Sequence, residues 1–195
     1  MRLSDIQDHL RGYRVGIAGA GGLGSNCAAA LARCGVGTLV ISDFDRIEEG
    51  NLSRQYYFTD QVGMMKTTAL KENLARINPE VFVIIYQKKL DRGNIPVIFS
   101  GCDVIVEAFD KAEMKEMLIE TVQTLMPGIP LVVGSGLAGW GMSNDIRCRK
   151  VDDTFYVCGD ESSETTDEMP PMAPRVGMVA SMQANVVIEI LMEMK

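Results

Sequence analysis

Asn51, Arg54, Gln55 and Lys66 bring two cations and two side-chain amides onto one short stretch of chain. Groups of these types, held together, neutralise and orient the oxygens of a polyphosphate, where charge-assisted hydrogen bonds are strongest. Two carboxylates stand on either side of them in the sequence: Asp43 ends the apolar run TLVIS, and Asp110 ends VIVEAF. A carboxylate at the end of a second strand accepts hydrogen bonds from ribose hydroxyls, and one at the end of a later strand can hold Mg²⁺. The phosphates themselves need a place to lie, and GAGGLG, residues 19–24, offers one. Gly19, Gly21, Gly22 and Gly24 follow the apolar Val15–Ala18 and precede Cys27, Ala30, Leu31 and Cys34 at helical spacing. Strand, glycine turn and helix N-terminus is the context in which backbone N–H groups meet phosphate. The glycines alone do not separate NAD, FAD and ATP, and Asp43 suits NAD and ATP equally. The cations do discriminate, because a dehydrogenase has little use for two of them beside its phosphates.

Each residue also has a plainer use. Arg54 and Lys66 can be ordinary solvated cations, Asp110 can cap the helix that begins near Lys111, and Asp43 can be a turn residue. Cys27 and Cys34 read as small buried hydrophobes. His9, the single histidine, lies in the N-terminal segment and is a poor catalytic candidate.

Short apolar strands alternating with helical patterns must position these groups, the signature of an α/β fold with a mainly parallel sheet. The strands are expected at 13–18, 38–43, 81–86, 103–108 and 130–134, the helices at 23–34, 67–77, 111–125 and 176–194. Leu70, Leu74 and Ile77 share one helix face; Met114, Leu118 and Leu125 share another. A short strand pair around 142–149 and 154–158 forms a C-terminal antiparallel extension. Residues 159–175 carry five acidic residues, four Ser/Thr and three Pro, the composition of a surface loop, yet long enough for a functional crossover. The helix beyond is apolar on most faces, and is either deeply buried or half of a subunit interface, which makes a homodimer the expected assembly.

A chain of 195 residues suits one domain, 1–195. A net charge of −7 argues against nonspecific nucleic-acid binding. Five cysteines with no CxxC pair favour a reducing cytoplasm over a disulfide framework and exclude a zinc site of the paired kind. No apolar run approaches the roughly 20 residues of a bilayer span, and no secretory signal opens the chain.

GAGGLG, DFDRIEEGNLSRQ, the lysine after VGMM, ARINP, EAFD and MAPRVGMVASMQAN occur in order from residue 13 onward. In this the chain resembles the ThiF/MoeB/HesA family, relatives of ubiquitin-activating enzymes, and within it the short ThiF-like branch linked to thiamine biosynthesis. The resemblance implies a Rossmann-like doubly wound fold and an adenylyltransferase that uses ATP and Mg²⁺ to activate the C-terminal glycine of a ubiquitin-fold sulfur carrier, releasing pyrophosphate. It assigns Gly19, Gly21, Gly22 and Gly24 to wrapping the nucleotide, Asp43 to ribose, Asn51, Arg54, Gln55 and Lys66 to phosphate, and Asp110 to Mg²⁺. Arg54, Lys66 and Asp110 would carry the catalysis.

Three departures stand out. The paired zinc cysteines of many members are missing. The N-terminal arm that lends an arginine to the partner subunit is short, leaving Arg2 or Arg11 as substitutes. The crossover-loop cysteine is replaced around Thr165–Thr166, so the adenylate is the expected end point, with sulfur delivered by a separate donor protein and Cys158 as the remaining thiol to test. Competing readings are an NAD-dependent oxidoreductase, a noncatalytic binding module, and adenylation of another ubiquitin-like protein or a peptide.

Overall fold

The computed structural model describes residues 2–194. β1 (Arg14–Ala18), β2 (Thr38–Ser42), β3 (Phe82–Tyr86), β4 (Val104–Glu107), β5 (Leu131–Gly134), β6 (Arg147–Lys150) and β7 (Phe155–Gly159) form one sheet in the order β3-β2-β1-β4-β5-β7-β6. Every neighbouring pair is parallel except β6 with β7. The central strands are largely apolar because helices cover both faces. Strand order reverses between β1 and β4, where Ala18 lies opposite Glu107, so the carboxyl ends of these two strands open the crevice in which such sheets bind ligands.

One face of the sheet is packed by α1 (Leu3–Leu10), α2 (Gly22–Cys34), α3 (Lys66–Ile77) and α6 (Ala173–Glu193); the other by α4 (Ile95–Ile98) and α5 (Ala112–Leu125). The expected strands and helices are present with ends shifted by a residue or two. Three local readings change. α1 was not anticipated: it is one amphipathic helix of eight residues, held to α6 where His9 Nε2 donates to the Leu191 carbonyl at 2.9 Å. α6 begins at Ala173, three residues earlier than expected, because Pro174 fits a helix's first turn, where no N–H is needed. Residues 143–145 are a 3-10 turn, and the hairpin strands occupy only 147–150 and 155–159.

By length and composition alone α6 could cross a bilayer. Instead Val176, Val179, Ala180, Val186, Val187, Ile190 and Leu191 are buried within the chain, while Ser181, Asn185, Glu189 and Glu193 face solvent. Burial inside the fold thus accounts for the apolar character from which a homodimer was expected. Large exposed apolar residues lie elsewhere, Trp140 and Met142 among them.

Candidate nucleotide site

The turn after β1 is built so that only glycine fits at its two ends. Gly19 has φ +103° and a Cβ there would lie 2.8 Å from the Ala108 carbonyl oxygen; a Cβ on Gly24 would lie 1.9 Å from the Gly19 carbonyl oxygen. Gly21 is the N-cap residue of α2 and Gly22 its first residue, so the helix opens with backbone N–H groups that carry no side chain of their own. The same contacts bring β4's end, Ala108–Phe109, against Gly19.

Asp43 fastens the turn from the other side. Its Oδ2 accepts the Ala20 N–H at 2.7 Å and its Oδ1 accepts the Asp45 N–H at 2.8 Å. Burial pushes the Asp43 carboxyl up, while these N–H donors and the nearby Lys66 ammonium pull it back. Lys66 is the first residue of α3 and 7% exposed; its Nζ bonds Asp45 Oδ2 at 3.0 Å.

Residues 54–57 are strapped onto the glycine turn. Asn26 Nδ2 donates to the Arg54 carbonyl at 3.0 Å, Tyr56 N–H to Ser25 Oγ at 2.9 Å, and Tyr57 O–H to the Ala20 carbonyl at 2.7 Å. Arg54 and Gln55 consequently lie over the start of α2, their side chains within 4 Å of where Cβ atoms of Gly22 and Gly21 would stand. Gln55 Oε1 is buried without a hydrogen-bond partner, an acceptor left over in a cradle of donors. Asn51 holds this segment in shape: its Oδ1 accepts the Glu48 N–H at 3.1 Å, and its carbonyl takes the N–H groups of Arg54 and Gln55.

Asp110 is exposed. The residue capping α5 is Lys111, with no side-chain cap bond, so Asp110 does not serve as the cap. The glycine turn, Asp43, Arg54, Gln55, Lys66 and the strand end leading to Asp110 are therefore linked around one crevice. Arg11 and Arg2 are engaged on their own surface, Arg11 with Glu80 at 2.7 Å and Arg2 with Asp5 at 3.3 Å.

Two ion pairs on buried carboxylates were not foreseen. Glu107, inside the motif EAFD, is fully buried and pairs with Lys115 at 2.8 Å. Burial raises the Glu107 carboxyl, opposed chiefly by the Lys115 charge. Asp160 pairs with Arg175, both side chains 4% exposed, and Arg175 NH1 donates to the Gly141 carbonyl at 2.7 Å. Neither pair has a sequence signal, since strand-to-helix and loop-to-helix partners follow no fixed spacing.

The acidic loop runs from Asp160 to Met172. Ala138 N–H donates to Ser163 Oγ at 3.1 Å, and Gly139 bridges to Pro171. Thr165 and Thr166 are exposed. Cys158 is fully buried, opposite Cys148 across the hairpin, and burial pushes its thiol far above the ordinary range.

The ThiF family model matches residues 3–195. The chain is 38% identical over 191 residues to the adenylyltransferase and sulfurtransferase MOCS3 of Caenorhabditis briggsae, covering 94% of this chain and 47% of that protein. It is 30% identical over 192 residues to the molybdopterin-synthase adenylyltransferase of Escherichia coli, covering 96% of this chain and 76% of that protein. The chain thus spans about half of the first relative and about three quarters of the second. Among solved structures, the E. coli tRNA N6-threonylcarbamoyladenosine dehydratase in complex with ATP superimposes with a TM-score of 0.86 at 20% identity, covering 96% of this chain and 89% of that one.

Proposed function

The chain belongs to the ThiF family, and from that premise we propose that it is an ATP-dependent adenylyltransferase that activates the C-terminal glycine of a ubiquitin-fold sulfur carrier and releases pyrophosphate. The observation that carries this reading is the strapping of Arg54 and Gln55 onto the glycine turn. An NAD enzyme gives these groups no work. Attack of a carboxylate on an α-phosphorus builds charge on the phosphoryl oxygens and on the leaving pyrophosphate; fixed cations oppose that charge, and no general base is needed because the carboxylate is already ionised. Arg54 and Lys66 supply the cations, Asp43 the ribose acceptor. Asp110 fits Mg²⁺ as an exposed carboxylate not used as a helix cap, and the metal, when bound, adds further charge neutralisation.

Trp140 and Met142, 64% and 67% exposed, lie beside the acidic loop, whose Met169 packs at Gly139. An apolar strip next to carboxylates suits a small carrier with an apolar face and basic flanks. The net charge of −7 favours a protein partner over tRNA. A carrier of thiazole synthesis is the narrower form of this reading and rests on the resemblance to the short ThiF-like branch, as does a homodimer.

Radiolabelled pyrophosphate should exchange into ATP only with a carrier bearing a free C-terminal glycine. Exchange supported by tRNA, or unchanged by deleting that glycine, would overturn the assignment. Asp110→Ala should shift the Mg²⁺ dependence upward by about 10-fold or more. Burial and a thiol pushed above its ordinary range argue against capture of the adenylate by Cys158. Intact-mass spectra after incubation with carrier and ATP should therefore show no reductant-sensitive adduct; an adduct lost in Cys158→Ser would contradict this.

A further inference from the structure

Glu107 poses a question that the nucleotide site does not answer. A fully buried carboxylate costs several kcal/mol in lost hydration, and an apolar residue at the end of β4 would be cheaper. Its bonds show what it does. Oε1 accepts the Phe109 N–H at 2.6 Å, and Oε2 accepts the Gly134 N–H at 3.4 Å. Lys115, in the first turns of α5, donates to both carboxylate oxygens at 3.0 and 2.8 Å and to the Gly134 carbonyl at 2.9 Å. From the opposite side, Gln183 Nε2 of α6 donates to the Glu107 carbonyl at 2.8 Å. The strand ends of β4 and β5 and the start of α5 are thereby tied at one point. Asp110 stands on the short span of chain between the two members of the pair, and the Phe109 N–H, just before Asp110 and past the end of β4, is caught by the Glu107 carboxylate two residues back.

We propose that Glu107 and Lys115 are positioning residues for Asp110: their ion pair closes the 107–115 span and fixes the direction in which the Asp110 carboxylate meets a divalent cation. This rests on the assignment of Mg²⁺ to Asp110. The pair is nearly neutral as a unit, so its influence on the cation is geometric rather than a matter of field.

The test separates geometry from stability. Lys115→Met alone strands a buried carboxylate and lowers stability. Glu107→Gln/Lys115→Met removes both charges, keeps an acceptor for the Phe109 N–H, and should recover much of the thermal stability, because replacing both members of a buried pair is often neutral. Magnesium is titrated calorimetrically into protein with ATP and no carrier, so turnover is not the readout. The double variant should need roughly 10–100-fold more Mg²⁺, the usual cost of losing a partner behind a metal ligand, with ATP affinity in the absence of Mg²⁺ unchanged. Lys115→Arg, which keeps the charge and the donors, should stay within about 3-fold of wild type by the same scale. A wild-type Mg²⁺ midpoint in the double variant, beside a raised one in Asp110→Ala, would overturn the clamp alone. An unchanged midpoint in Asp110→Ala would overturn the metal assignment, and the clamp with it.

Discussion

Lys66→Ala should slow carrier-dependent pyrophosphate exchange by about 10²–10³-fold, the loss usual for one preorganised transition-state donor. Its ammonium is held on a nearly buried stem at the first residue of α3, with Asp45 as the ion partner. A charge so placed is less screened than one in bulk water and is therefore worth more to an anionic transition state. Stability should change little, because Asp45 is half exposed and keeps its hydration when the ion pair is lost. Arg54→Ala should show a loss of similar size, since its backbone is pinned by Asn26 and the guanidinium is kept close by Gly50 and Ser53. Stopped-time exchange assays at saturating ATP, with circular dichroism as a fold control, measure both. Rates within a few-fold of wild type in both variants would remove these residues from the site.

Arg175→Ala should lower global stability by about 3–5 kcal/mol, because it leaves the Asp160 carboxylate buried and unpaired. For a chain of this size that corresponds to a fall in Tm of roughly 6–20 °C. The damage extends beyond the loop, since Arg175 also holds the Gly141 carbonyl and precedes Val176, which packs against the start of α2 at Gly22. Asp160→Asn keeps the shape and should cost less. Burial alone would raise the Asp160 carboxyl, but hydrogen bonds from Ser163 and Ser162 carry it down to about 2, below its ordinary 3.8. Its folded form is thus the stronger acid. The contribution is complete above about pH 4 and is lost as pH falls through 2, so Asp160 should add no pH dependence to wild-type stability between pH 5 and pH 7. Thermal melts at both values check this; a fall under about 3 °C in Arg175→Ala would mean the pair is not the anchor of the loop.

The elements were legible because their periods are strong: largely apolar runs for strands buried on both faces, and Leu70 and Leu74 on one helix face. Period gives direction but not depth. Leu125 shares the spacing of Leu118 yet is 58% exposed at the last residue of α5. The residues proposed for the phosphate site could be grouped from the sequence because they follow strand ends or sit on one connecting segment. Asn51 was expected at the phosphates, and the structure shows its carbonyl oxygen shaping the turn that presents Arg54 and Gln55. The ion pairs Glu107–Lys115 and Asp160–Arg175 were illegible because partners joined by tertiary folding leave no local pattern. α1 was missed for a different reason: Leu3, Ile6 and Leu10 give only about two turns of apolar spacing, a weak signal until α6 covers it.

The contact between Val176 and Gly22 joins residues from opposite ends of the sequence, so the proposed phosphate cradle is expected to be completed late in folding. The entropy of closing so long a loop has to be overcome before α6 settles on α2. A chain arrested before that step can hold a formed β1–α2 turn, yet it lacks the wall against which the turn is set. Nucleotide retention should accordingly report completion of the whole fold, and refolding followed by bound ATP should lag behind refolding followed by helix content.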